Sequence, residues 1–87
     1  MNVHYHKNFL KHFRQRIAPQ SKLIIKFNQR LVIFLNNPAN PILKDHQLIG
    51  SKIEYRAFSV TGDLRVVYKK VEDGILLYDI GTHNQVY

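Results

Sequence analysis

Cysteine is absent from this chain, and its absence removes whole classes of chemistry: no disulfide framework, no thiolate zinc site and no cysteine nucleophile. A metal site would have to be built from histidines and carboxylates. Acidic residues are scarce, six Asp and Glu against thirteen Lys and Arg, so the formal net charge is +7. In 87 residues that excess spreads a positive field over much of the surface, and its natural partner is a polyanion: RNA, DNA or an acidic protein. Long apolar runs are missing as well. The longest, Leu31 to Leu35, is far short of the ~20 residues of a membrane span. The first residues are polar and rich in His and Lys, so no secretory signal is read and the expected compartment is the cytoplasm. No phosphate-cradling glycine loop, no GxSxG and no HExxH occurs.

What remains suffices for one domain, residues 1–87. Val3 and Tyr5 alternate with polar neighbours, which predicts a short first strand. From Lys7 to Ile17 the period changes, because Phe9, Leu10, Phe13 and Ile17 recur at helical spacing while Lys7, Lys11, His12, Arg14 and Arg16 fill the other side. Pro19 ends that helix. A second runs from Ser21 to Asn36 on Leu23, Ile24, Phe27, Leu31, Phe34 and Leu35, and Ile25, Val32 and Ile33 widen its stripe enough to predict burial on more than one side.

Asn37 to Ile53 shows turn residues and no sustained period, and is read as a long functional loop pinned by Leu43, Leu48 or Ile49. A three-strand meander follows: Glu54 to Val60, Leu64 to Val71 and Ile75 to Ile80. Its hairpin signal is Asp73-Gly74, two residues that tolerate positive φ. The fold class is therefore α+β, ordered β-α-α-β-β-β, with two helices packed on one face of a small, mainly antiparallel sheet.

Within the meander, Leu64, Val66 and Tyr68 share one parity and face the helices, whereas Asp63, Arg65 and Lys69 point to the opposite, open face, where cations meet a phosphate backbone. The bland reading of Arg65 is a surface or pairing arginine. For Arg56 the parity does not say which face is open. His83 follows the glycine-marked strand end Ile80-Gly81-Thr82, and histidine is the side chain suited to moving protons near neutrality. A lone His46 or His83 is more often an ordinary polar residue, and sequence spacing does not show that His46, Asp63 and His83 converge. His4, His6 and His12 are read as ordinary polar residues, since no third metal ligand is placed near the first two. Tyr87 is either packed or, near a nucleic-acid site, a base-stacking group.

The segments KDHQLIG, YRAFSV-TG-DLRVVYK and IGTHNQVY resemble the RelE/ParE toxin superfamily, most closely its YafQ-like branch. The likeness is specific over the last 44 residues and architectural before them. It implies a ribosome-dependent mRNA endoribonuclease, the toxin of a type II toxin-antitoxin pair held by a cognate antitoxin, working on ribosome and mRNA without metal, small-molecule cofactor or membrane. By matching positions, the catalytic residues are His46, Asp63 and His83 and the substrate-binding aromatic is Tyr87. Arg65 is similar to the arginine that many other RelE relatives carry in that strand and is placed on the phosphate, and the basic strand residues Arg56 and Lys69 are added as substrate-binding candidates from the sequence itself. Ser59 departs from the pattern, since YafQ-like sequences commonly carry a histidine there. Two rivals follow: a ParE-like toxin that binds a topoisomerase, and a catalytically weakened RNA-binding relative.

Overall fold

A computed structural model describes residues 1–87. The elements run β1 (Asn2–Tyr5), α1 (Lys7–His12) continuing as a π-helical turn (Phe13–Ile17), α2 (Ser21–Asn36), β2 (His46–Gln47), β3 (Arg56–Ser59), β4 (Leu64–Val71), β5 (Gly74–Thr82) and α3 (His83–Val86). They build one five-stranded sheet in the order β1-β5-β4-β3-β2, antiparallel except where β1 lies parallel to β5. The predicted architecture stands, with two additions: the edge strand β2 inside the long loop, and the terminal helical turn α3.

The main core lies between the helices and one sheet face. It joins Phe9, Ile17, Phe27 and Phe34 from the helical segments to Phe58, Val66, Tyr68, Leu77 and Ile80 from the strands. Phe34 stacks on Phe58 at 4.7 Å between ring centroids and meets Tyr68 edge-on at 4.7 Å, geometries that add to the area buried. The strand parity of β4 holds, since Leu64, Val66 and Tyr68 all join this core.

Several details depart from the periodicity. Leu10 is 50% exposed, and Ile25 and Val32 of α2 are 57% exposed each, so α2 is buried on one side only. At Pro19 the helical ladder loses its donor, and the preceding turn widens until Ala18 N–H bonds Phe13 O, five residues back, at 2.9 Å. That turn aims Arg16 at the edge of β5, where its Nη1 donates to Ile80 O at 2.8 Å. β1 pairs only as far as Leu77, so Arg16 closes the part of the β5 edge that β1 leaves open.

The β4–β5 hairpin turns at Glu72-Asp73, and Gly74 is already the first residue of β5. Positive φ occurs only at Lys44 and Gly50, so the reason for Gly74 is different. A Cβ there would lie 1.9 Å from Asn2 O, and only glycine lets β1 pass this close.

Candidate active site

The second sheet face is not open. Val86 of α3 packs with Leu48, Ala57 and Val67 into a second small core, flanked by Tyr55 and Tyr78. Leu48 thus pins the long loop, as Leu43 does in the main core, whereas Ile49 is 86% exposed and pins nothing. Burying Val86 is what fixes a four-residue helix that would not persist alone. Three further contacts hold it: Gln85 Oε1 accepts from Thr82 N–H at 2.8 Å, Asp63 Oδ1 accepts from His83 N–H at 3.4 Å, and Lys52 Nζ donates to Val86 O at 2.6 Å.

This turn places His83 and Tyr87 four residues apart on one helical face, with ring centroids 4.4 Å apart and planes at 81°. From the other side comes His46, delivered by the loop. Lys44 adopts a left-handed conformation at φ 49°, turning the chain so that Asp45 and His46 leave in different directions. His46 Nδ1 lies 3.0 Å from Lys44 O and its Nε2 lies 3.3 Å from the Tyr87 hydroxyl. A carbonyl only accepts, so Nδ1 carries the proton and Nε2 is left as an acceptor facing Tyr87. Burial raises the Tyr87 phenol above its ordinary pKa, and the nearby Arg65 guanidinium partly opposes that.

A pocket of about 410 Å³ opens among these groups, lined by His46, Leu48, Ile49, Lys52, His83 and Tyr87 together with Gln47. The predicted residues distribute unevenly around it. His46, His83 and Tyr87 line it. Asp63 reaches His83 only through the backbone, holding the first turn of α3. Arg65 stands beside Tyr87, but its Nη1 donates to Thr61 O at 3.1 Å and Gly62 O at 3.0 Å, within the β3–β4 turn. Lys69 lies over the Tyr55 ring at 5.8 Å and 3.9 Å from Glu54, away from the pocket.

Arg56, expected among the substrate-binding residues, stands apart from this pocket. It shares strand parity with Phe58 of the main core, and its Nε donates to Asp45 Oδ1 at 3.2 Å on the side away from the histidines. Tyr68 donates to the other Asp45 oxygen at 2.7 Å. Burial, then that bond to Asp45, pushes the Tyr68 phenol far above the ordinary tyrosine range. A cavity of about 600 Å³ adjoins this network and is lined by none of His46, Asp63 or His83.

Ser59 is buried and its Oγ has no hydrogen-bond partner, on the same sheet face as Ala57. His12 is paired with Asp79, His4 with Asp73, and His6 accepts from Asn8 N–H to cap α1. No three metal-ligating side chains gather as a group that could hold an ion. Sequence reasoning missed Lys52 and the terminal turn. The turn had a signal, Thr82-His83-Asn84-Gln85, whose Thr and Gln are spaced as in a capping box. For Lys52 there was none.

The sequence model of a family described as "Bacterial toxin of type II toxin-antitoxin system, YafQ" matches residues 1–87. The chain belongs to the YafQ toxin family. Among solved structures, YafQ from E. coli superposes with a TM-score of 0.84 at 24% identity, covering 99% of this chain and 97% of that one. The E. coli DinJ-YafQ toxin-antitoxin complex gives 0.77 at 23% identity, over 99% and 96% of the two chains. A YoeB/ParE toxin from Agrobacterium tumefaciens gives 0.79 at 15% identity, over 95% and 99%. These likenesses establish that the YafQ and YoeB/ParE toxins share this fold. No curated protein matches the chain by sequence. No helix is long and apolar enough to cross a membrane.

Proposed function

We propose that this YafQ-family toxin is an endoribonuclease that cuts mRNA on the ribosome, in the cytoplasm, and is held inactive by a cognate antitoxin. The observation that carries the reading is the arrival of His46 and His83, 37 residues apart in sequence, against the same Tyr87 ring at one pocket. RNA cleavage by the 2′-hydroxyl needs a proton acceptor and a proton donor on the two sides of one phosphate. His46 Nε2 takes the 2′-hydroxyl proton as the 2′-oxygen attacks phosphorus. His83 gives a proton to the departing 5′-oxygen. The products are a 2′,3′-cyclic phosphate and a 5′-hydroxyl, and both protons are accounted for.

In this scheme Tyr87 stacks on a base, Arg65 offsets charge at the rim of the pocket, and Asp63 is a positioning residue that holds His83 through its backbone. Arg56 has no part in it, being engaged by Asp45. Lys69 extends the basic surface for the RNA backbone. The antitoxin follows by analogy with the DinJ-YafQ toxin-antitoxin complex of E. coli, and a net charge of +7 favours an acidic partner.

The test is a primer-extension cleavage map of an mRNA translated in a cell-free system. Wild type is expected to give discrete, codon-phased cuts, and folded His83→Ala to cut ~10²-fold more slowly or worse. Undiminished cleavage by His83→Ala would remove the acid assignment. No cuts by wild type, with translation continuing, would sink the nuclease reading and leave the topoisomerase-binding or RNA-binding alternatives, which gyrase inhibition then separates.

A further inference from the structure

The pocket that holds both histidines is lined by a single lysine or arginine, Lys52, and by no Asp or Glu side chain. Arg56 is paired with Asp45 and Lys69 lies near Glu54, whereas Arg65 Nη1 donates to the neutral carbonyls of Thr61 and Gly62 in the β3–β4 turn. Lys52 is also held by a neutral carbonyl, but on the pocket wall itself. Its Nζ donates to Val86 O at 2.6 Å, but an ammonium has three N–H donors, and a bond to a neutral carbonyl leaves two of them for a ligand. Val86 is itself fixed in the small core with Leu48, Ala57 and Val67, so the ammonium is anchored at a defined place on the pocket wall.

We propose that Lys52 binds a phosphodiester anion in this pocket, facing the same group that His46 and His83 flank. The proposal rests on the reading of the pocket as an RNA site. Three features support it. A lysine is a compact point charge, suited to a phosphate oxygen. Its side chain is already ordered by Val86 O, so binding does not have to freeze a free lysine. Partial enclosure by Leu48, Ile49 and the Tyr87 ring strengthens the attraction beyond that of a cation in open water. The same side chain thereby links anion binding to the terminal turn that carries His83.

The probe is inorganic phosphate at low ionic strength, followed through the ring-proton resonances of His46 and His83. Wild type should show saturable shifts at both. Lys52→Gln keeps an N–H donor for Val86 O but has no charge, and should bind phosphate about tenfold or more weakly, whereas Lys52→Arg should stay within a few-fold of wild type. Wild-type affinity in Lys52→Gln, or no shift at either histidine in wild type, overturns the site. Should Lys52→Gln release α3, seen in the Val86 methyl resonances, Lys52→Arg decides: retained affinity supports the site and a tenfold loss overturns it. Lys52-dependent phosphate binding by a protein that leaves translated mRNA intact keeps the site and removes the nuclease reading. Cleaving wild type beside a Lys52→Gln variant with unchanged phosphate binding and cleavage does the reverse.

Discussion

Asp45 and His46 are neighbours in sequence with opposite surroundings. Asp45 has its side chain 14% exposed and accepts from both Tyr68 and Arg56, on the helix side of the sheet. His46 is exposed on the other side, its ring nitrogens facing Lys44 O and the Tyr87 hydroxyl. The difference follows from the left-handed Lys44, after which Asp45 stays outside the sheet and the chain enters β2 only at His46. It teaches where perturbation is to be found. The phenol with the large upward shift, Tyr68, belongs to the Asp45 network that ties loop to sheet, while the pocket is built from accessible side chains. Raised phenols stand on both sides, Tyr68 in the scaffold and Tyr87 in the pocket, so the site has to be recognised by convergence of groups and not by a shifted pKa alone.

The sharpest way to break that division is to remove each neighbour separately. His46→Ala should slow cleavage of translated mRNA by ~10²-fold, equivalent to about 2.7 kcal/mol in the barrier, with no measurable change in urea midpoint. Asp45→Ala should do the converse. It leaves the buried Tyr68 hydroxyl without its acceptor and Arg56 without its partner, at a cost of about 2 kcal/mol in stability, while the folded fraction goes on cutting. A folded Asp45→Ala protein that cuts as poorly as His46→Ala would show that the two residues form one unit.

The same contrast explains what could be read from the sequence. The meander, both long helices and the face assignment of Leu64, Val66 and Tyr68 were legible because each rests on a repeated period over many residues. His46, His83 and Tyr87 were legible as a set through the motifs around them, but no spacing rule brings residue 46 to residue 83. That depends on Leu48 and Val86 sharing one small core. The face of Arg56 was not legible because its strand shows no polar alternation: Ala57, Phe58 and Ser59 are all buried. Gly74 was noticed for turn chemistry, whereas the passing backbone of Asn2, 72 residues earlier, is what requires it. Long-range contacts of this kind leave no local pattern.

A smaller effect tests the scaffold side alone. Tyr68→Phe removes one hydrogen bond to Asp45 and should cost about 1 kcal/mol near neutral pH. It should also change the response to alkali. The folded pKa of Tyr68 lies above its unfolded value of 10.0, so the associated stability is fully present below that pH. Above it, the unfolded chain releases a proton that the folded one retains, and stability falls as pH rises. Urea unfolding at about pH 8 and about pH 11 should show a steeper loss for wild type than for Tyr68→Phe. Parallel losses would mean that other groups govern alkaline unfolding.

Tyr87 tests the pocket side most gently. Its ring meets both histidines, at 4.4 Å from His83 and 6.0 Å from His46, while its hydroxyl makes one contact of 3.3 Å to His46 Nε2. If the ring is what the RNA uses, Tyr87→Phe keeps the stacking surface and removes only an exposed hydrogen bond, so cleavage should fall by no more than about threefold. Tyr87→Ala removes the surface and should fall further, by about tenfold or more, because base-aromatic stacking contributes roughly 1–3 kcal/mol. Equal losses in the two variants would transfer the role from the ring to the hydroxyl. His46 Nε2 would then have to be understood as one member of a proton-carrying pair with Tyr87, and the raised pKa of that phenol would belong to the chemistry after all.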